Sequence, residues 1–362
     1  MHDHLNFKEN NIVFHLATSK QASDMVAFHN SYYGTSRSPK DWLWEYQGYD
    51  AKKAVSTFAT DFDKIIATQG MLPIYMKVGI KTILSGKSES TLLIPAYRGT
   101  QLMQGLYEYA IENCIEQKMK FIWGFTPAVQ AFKNFGFKSY PDIRVMMRPC
   151  NLWMGIRLRL NNGSPSWRRI ASIGKLMLRH FLFKKNLTVN QFHKKEYELR
   201  REIADEISLK ALFDRLTTQH KKAIFIKYDQ KYLSWRVRKH PFIKYIEYQV
   251  YCCSELKAFA IVALHMGVLS ISDLTSEDEN ATSFLIHTIL DDFSEKAGEI
   301  RCLLNTKDIL SQGVLKQLYK LGFSTSDAWN LVVRDLTNGD HEEIFDICNW
   351  HINGLWTEGY SM

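Results

Sequence analysis

A chain of 362 residues with 46% hydrophobic and 23% charged residues is long enough for two domains and has the balance of a globular protein with a real core. No apolar run approaches the ~18 residues needed to span a bilayer, and the opening MHDHLNFKENN is polar and mixed in charge, unlike a signal peptide. The six cysteines show no C-x-x-C pairing or ligand-like spacing, which argues against a disulfide scaffold and a structural zinc site, and the net charge of +8 is uneven: basic residues gather between Arg144 and Lys244 while both flanks are acidic.

In chain order, NIVFHLA (11–17) predicts a strand and SKQASDMVAFHNSYYG a helix that Ser19 can cap. KAVSTFATDFDKIIATQGMLPIYMKV reads as two or three strands separated by turn residues. STLLIPA is a further strand, followed by a helix from about Thr100 to Gln117 whose apolar positions Leu102, Leu106, Ala110 and Cys114 recur at helical spacing. KFIWGFT is a short buried strand, AVQAFKNF a short helix, and GFKSYPDIRVMMRP the final strand region of a first domain. The NNGSP stretch (161–165) is the one evident flexible break. Two helical segments follow, SWRRIASIGKLMLRHFLFKKN and KKEYELRREIADEISLKALFDRL. Strands and helices then resume through AIFIKYDQKYLSWRV, FIKYIEYQVYC, LKAFAIVALHM and GVLSISDLT, with a hairpin turn expected at Ser254–Glu255. A helix in ATSFLIHTILDDFSEKAG, a strand IRCLLNT, a helix QGVLKQLYKL and the segment GFSTSDAWNLVVRDL complete the pattern. The two ends repeat each other: long helix, short strand, short helix and a closing Gly-Phe, in KFIWGFTPAVQAFKNFGFKS and again in IRCLLNTKDILSQGVLKQLYKLGFST.

Both ends resemble the GCN5-related N-acetyltransferase (GNAT) fold. IPAYRGTQLMQGLYEYA is similar to its cofactor motif, FKNFGF to its closing motif, and the P-x-Y-R-G and YLSWRVRKHP segments resemble large bacterial tandem members of the polysaccharide-biosynthesis type. The likeness covers roughly 60–140 and 224–335. It implies an α/β protein (α+β mixed sheet) of two tandem GNAT-like acyl-CoA N-acyltransferase domains joined by a basic helical segment. The expected divisions are 1–150, a first domain with the acetyl-CoA site; 151–222, the connecting segment; 223–340, a second domain without a cofactor loop; and 341–362, a tail.

The resemblance places acetyl-coenzyme A, as co-substrate, against Leu93, Ile94, Arg98, Gly99, Thr100, Gln101, Leu102 and Met103. Backbone N–H groups at a helix N-terminus suit a pyrophosphate, and an exposed strand edge suits a pantetheine arm. The family prefers glycine where Gln101 stands and glycine or alanine where Met103 stands; backbone donors survive those side chains, while room for close approach shrinks. Its tyrosine four residues before the closing glycine is Phe132 in the first copy and Leu318 in the second. The second copy carries the acidic SEDENATSF in place of a loop, which repels pyrophosphate. Ser88, Glu89 and Ser90 are the candidates for a group that deprotonates the amine, with a solvated loop as the alternative. Trp235, Arg236, His240 and Asp273 are candidates for an acceptor pocket; against that, arginine on an aromatic is often structural, and the favoured reading of Asp273 with Glu277 is surface or helix cap.

The resulting expectation is an acetyl-CoA-dependent N-acyltransferase acting on a small-molecule or glycan amine, such as an amino sugar of a surface polysaccharide, without a metal. A Fem-like transferase using aminoacyl-tRNA and a non-catalytic scaffold of the same fold stand as alternatives; a nucleic-acid partner is not expected. The chain is expected in the cytoplasm. Residues 166–185 are expected either to touch an anionic membrane at its inner face, with Ile170, Ile173, Met177 and Phe181 on one side and Arg168, Lys175, Arg179, Lys184 and Lys185 around it, or to pack between domains.

Overall fold

The computed structural model describes residues 11–160, 166–183 and 197–357; the NNGSP break, Lys184 and Lys185 lie outside them. The elements run β1 (Ile12–Leu16), α1 (Ala22–Tyr33), α2 (Pro39–Gln47), β2 (Val55–Asp61), β3 (Lys64–Val78), β4 (Lys81–Leu93), α3 (Leu102–Glu116), β5 (Phe121–Thr126), α4 (Val129–Asn134), β6 (Lys138–Tyr140) and β7 (Ile143–Pro149). They continue with α5 (Leu152–Leu160), α6 (Ser166–Phe183), β8 (Glu198–Arg200), α7 (Glu206–Gln219), β9 (Ile224–Ile226), α8 (Gln230–Leu233), β10 (Tyr245–Cys252), β11 (Glu255–His265) and β12 (Val268–Ser276). The last are α9 (Glu279–Phe293), β13 (Glu299–Asn305), α10 (Gln312–Lys320), β14 (Ser324–Asp327) and β15 (Asn330–Asp335). The mixed α/β architecture with two mixed sheets is the fold class the sequence implies.

The chain divides into two units, and each draws one strand from the far half of the sequence. The first comprises Met1–Lys77, Lys81–Tyr140 and Asn330–Phe345; the second comprises Val78–Ile80, Pro141–Trp329 and Asp346–Met362. In the first sheet the order is β1-β2-β3-β4-β5-β15-β6, with β15 antiparallel to β5 from Asn330↔Thr126 to Asp335↔Phe121. In the second it is β14-β7-β13-β12-β11-β10-β8, with β7 antiparallel to β13 from Ile143↔Asn305 to Pro149↔Glu299. The DIRVMMRP strand, expected to close the first domain, is therefore a strand of the second sheet. A strand's alternation sets which side chains face the core, but it carries no address for the neighbouring strand.

The 151–222 segment is not a free-standing connector. β8 pairs with β10, and Leu209, Leu212, Phe213 and Leu216 give α7 a buried stripe at helical spacing, so both belong to the second unit. The expected 341–362 tail also divides: residues 341–345 fall in the first unit and the described residues 346–357 in the second. The β10–β11 hairpin turns one residue before the expected place, at Cys253 and Ser254, whose φ values of 51° and 67° are the paired left-handed angles of a two-residue turn.

Each unit has its own core. In the second, Ala281, Leu285, Ile286 and Ile289 of α9 pack onto Leu269 and Ile271 of β12 and Ile300 of β13. In the first, Tyr107, Ala110, Ile111 and Cys114 of α3 pack with Ile122, Phe132, Phe137 and Val332. Burying one such large side chain is worth about 1.5–3 kcal/mol. Among the described residues no helix is long and apolar enough to cross a membrane.

Candidate active site

The first unit contains a fork. β4 and β5 lie side by side but pair only at Gly86↔Ile122 and Lys87↔Trp123, in parallel. Past these residues β4 departs from regular geometry: Ser90 has φ 52°, and its carbonyl accepts a bond from Thr68 Oγ1 at 2.9 Å. Thr68 gives its single proton to that carbonyl, so at 3.0 Å it accepts from Nε2–H of His29 on α1, which fixes the imidazole tautomer. Burial lowers the His29 pKa to about 4, with the Arg37 charge adding to the effect and Glu45 opposing it.

On the α3 side of the fork a hydroxyl network is centred on Tyr107. Its Oη lies 2.7 Å from Ser88 Oγ and 3.0 Å from Thr91 Oγ1, and Gln69 joins both, donating to Ser88 at 3.1 Å and accepting from Thr91. Tyr107 is fully buried, and burial raises its pKa far above the usual phenol value, so it stays protonated at any physiological pH. Phe132 packs edge-on against it with ring centroids 5.4 Å apart. Beside this cluster runs a groove of about 220 Å³ between α3 and α4, lined by Gln104, Tyr107, Glu108, Asn134, Gly136 and Arg334.

β4 leads into the N-terminus of α3 through Pro95–Gln101. Gly99 has φ 82°, and a Cβ there would meet nothing within 4 Å, so the turn is bare backbone open to solvent. Thr100 Oγ1 accepts from Leu102 N at 3.3 Å; the other first-turn N–H groups have no partner in the helix itself, and no acidic residue occupies that turn. Arg98 is exposed and donates to the Tyr32 hydroxyl, while Tyr97 donates to Asp61. Gln101 is exposed, whereas Leu102 is fully buried and Met103 packs into the core, so these two present only backbone at the helix end. Leu93 and Ile94 pack behind the loop, with Ile94 N bonded to Ile66 O at 3.1 Å.

Of the three residues proposed to deprotonate an amine, none is a free base. Ser88 belongs to the Tyr107 network, Glu89 is ion-paired with buried Lys87, and Ser90 contributes its carbonyl to Thr68. The polar residues that surround the fork without having been singled out are His29, Thr68, Gln69 and Tyr107. Gln69 had a signal, as an amide inside the apolar run IIATQGMLPIYM; Tyr107 had none, because its spacing on α3 is that of a core aromatic.

The second unit has a matching fork. β12 and β13 pair in parallel from Val268↔Glu299 to Ile271↔Cys302 and no further. Here the chain itself packs against the strands: His351, Ile352, Leu355 and Trp356 are buried, residues 354–356 lie against β12 and β13, and Trp350 is completely buried. Asn305 of β13 donates to the carbonyls of Ile347 and Trp350 at 2.7 and 2.9 Å. Asp273, expected at the surface or as a cap, is fully buried and accepts from Tyr228, Asn353 and, at 2.8 Å, Thr275. It was misplaced because a lone aspartate in a strand ordinarily marks the solvent face, and its partners lie up to 80 residues away.

Burial lifts the Asp273 pKa to about 6, with the Tyr228 hydrogen bond opposing. Thr275 then accepts from His351 Nε2 at 3.0 Å while His351 Nδ1 meets Asp308 Oδ2 at 2.7 Å. With Thr275 donating to Asp273, both ring nitrogens of His351 donate, which describes an imidazolium between the Asp308 carboxylate and the Thr275 hydroxyl. Burial pulls the His351 pKa down, and the Asp308 carboxylate outweighs it, so the net shift is upward. Trp235, Arg236 and His240 are all buried: Arg236 donates to Thr357 O, and His240 Nδ1 accepts from Phe242 N and Ile243 N, both at 3.2 Å. The N-terminus of α9 is closed by its own carboxylate, Asp278, which accepts from Asn280 N at 2.7 Å and Ala281 N at 2.8 Å.

No protein-family model matches the sequence, and no curated protein matches it. Solved structures do. A GCN5-related N-acetyltransferase from Kribbella flavida aligns with TM-score 0.60 and 12% identity over 91% of this chain and 72% of its own. One from Anabaena variabilis gives 0.60 and 10% over 90% and 73%. A tandem GNAT protein from the clavulanic acid biosynthesis pathway gives 0.55 and 10% over 90% and 98%. At these identities the likeness is one of fold: this chain has the fold of GCN5-related N-acetyltransferases in its tandem form.

Proposed function

We propose that the chain is an N-acyltransferase whose first unit binds acetyl-coenzyme A and whose second unit binds none. The observation that carries this reading is the difference between the two helix ends: α3 begins with bare, acid-free backbone beyond a forked strand, and α9 begins under a carboxylate. The first-turn N–H groups of α3 and the Arg98 guanidinium face a diphosphate, and Gly99 leaves room for it. The unpaired edge of β4 from Glu89 to Leu93 takes the pantetheine amides as an added strand. When bound, acetyl-coenzyme A supplies the activated acyl group.

Tyr107 holds a proton at Oη beside the fork, and we assign it as the donor to the thiolate that leaves as the thioester C–S bond breaks, the work that Phe132 cannot do. Ser88 and Thr91 keep that hydroxyl oriented. The acceptor is an amine; the narrower reading, an amino sugar of a surface polysaccharide, is supported by the P-x-Y-R-G resemblance alone. Six free cysteines suit a reducing cytoplasm.

Isothermal calorimetry with coenzyme A tests the site. One equivalent should bind per chain, and Arg98→Ala should weaken it about ten-fold, as expected for one charge-assisted contact of ~1.4 kcal/mol. Tyr107→Phe should leave coenzyme A affinity intact and slow acyl transfer to a panel of amines at all pH values. No heat with coenzyme A, or affinity indifferent to Arg98, overturns the reading in favour of a scaffold, or of a Fem-like enzyme if aminoacyl-tRNA binds instead.

A further inference from the structure

The hairpin of α5 and α6 in the second unit turns its apolar residues outward. α5 is seated by its backbone: Cys150 N and Asn151 N bond to Gly298 O and Ala297 O at 3.1 and 2.9 Å, and a Cβ on Gly298 would fall 2.6 Å from Gly155 N. Arg159 faces inward, donating to Glu299 at 2.7 Å and to Ser172 of α6 at 3.1 Å, and Leu176 is buried against Gly155. Those contacts fix which faces remain. On α5, Trp153 is 79% exposed and shares a face with Arg157 and Leu160. On α6, Trp167 is 67%, Ile170 71% and Leu178 62% exposed, with Arg168 and Lys175 beside them.

The face differs from the one expected from sequence. Ile173 is half-buried beside Leu176, so the outward strip runs through Trp167, Ala171, Gly174 and Leu178 with Ile170 and Met177 along one border. The Phe181 side chain lies outside what is described.

We propose that this hairpin seats the protein on the surface of an anionic phospholipid bilayer. Trp153, Trp167, Ile170 and Leu178 enter the boundary between headgroups and acyl chains, and Arg157, Arg168 and Lys175 meet lipid phosphates. The charge pattern selects this occupant. Residues 151–183 contain Arg157, Arg159, Arg168, Arg169, Lys175 and Arg179 and no aspartate or glutamate. A second copy docked on the same face would set these cations against each other with no acid between them. Nucleic acid would satisfy the cations but would leave Ile170, Leu178 and Met177 without an apolar partner.

The test uses the full chain and flotation with two kinds of vesicle, phosphatidylcholine alone and phosphatidylcholine with phosphatidylglycerol. Binding should require the anionic lipid and weaken as salt shortens the Debye length from about 30 Å at 0.01 M to about 10 Å at 0.1 M. Arg157→Glu, Arg168→Glu and Lys175→Glu together should lower partitioning about 100-fold, as each cation near the surface is worth about five-fold. Trp153→Ser, Trp167→Ser and Leu178→Ser together should lower it at least about ten-fold. Both triple variants replace solvent-exposed side chains, and unchanged thermal unfolding with unchanged coenzyme A affinity shows that each remains folded. Equal partitioning onto the two vesicles, none at low salt, or wild-type partitioning by the serine variant overturns the proposal. So does binding of an RNA oligonucleotide without vesicle binding, or a dimer that the serine variant converts to monomer.

Discussion

The β4–β5 fork of the first unit and the β12–β13 fork of the second are the same device in two conditions. In both, a parallel pair is joined for a few residues and then separates, exposing backbone N–H and C=O groups that need partners. At the second fork side chains of both strands hold the tail, with the carboxamide of Asn305 donating to two tail carbonyls and Asp273 accepting from Asn353. The first has hydroxyls on one side, His29 and Thr68 on the other, and a helix end free of acid. The two forks share their strand layout and differ in what surrounds them: a carboxylate caps the helix beside the second, and the tail packs against its strands.

The largest test of that contrast loosens the tail. Trp350 is fully buried, and Trp350→Ala should cost about 3–5 kcal/mol. Chemical denaturation should show the loss, while coenzyme A titration of the native variant remains as in wild type. A loss below about 1 kcal/mol would mean the tail merely covers the fork.

Next comes pH, where the two regions should respond with opposite sign. His29 has a folded pKa near 4 against 6.5 unfolded, so the stability it permits is complete above 6.5 and falls as pH drops toward 4, by about 3 kcal/mol in all. His351 has a raised pKa, so its contribution is complete below 6.5 and is lost as pH rises through the folded value. Asp273, raised to about 6, adds to the second trend between its unfolded pKa and 6. Hydrogen exchange, corrected for intrinsic rates, should show α1 opening in acid and 350–356 opening in base. His29→Gln should flatten the acid limb alone; an unchanged limb would sink the assignment.

A smaller effect comes from making one helix end resemble the other. Gln101 stands at the cap of α3 where Asp278 stands at the cap of α9. Gln101→Asp should lower coenzyme A affinity about ten-fold by setting a carboxylate against the diphosphate, even though it caps the helix. The smallest change is Asp278→Ala, which should cost about 1 kcal/mol of stability and leave coenzyme A binding untouched. If Asp278→Ala instead weakens that binding, the division of labour between the units is wrong.

Much of the fold was legible because it rests on local signals. The 3.6-residue period marked α3 at Leu102, Leu106 and Ala110, and the acids at 277–279 announced the carboxylate that caps α9. The polar cluster at the first fork was less legible. Ser88 was noted for its position in the chain, but its partners Gln69 and Tyr107 come from a neighbouring strand and the next helix. The burial of Asp273 is illegible for the same reason, since its partners Tyr228 and Asn353 lie far off in the chain.

The sequence by itself determined most of the elements, the two-fold repetition, the bare Arg98–Gly99 turn and the acidic start of α9, since each depends on residues within a turn or two of one another. Only the tertiary structure decided that β7 and β15 are shared out to opposite sheets, that residues 354–356 lie against β12 and β13, and that Trp153, Trp167 and Leu178 face outward. Strand pairing is made by backbone groups that every residue carries alike. Burial is settled by whichever distant segment arrives to cover a side chain, so neither is written in the local pattern.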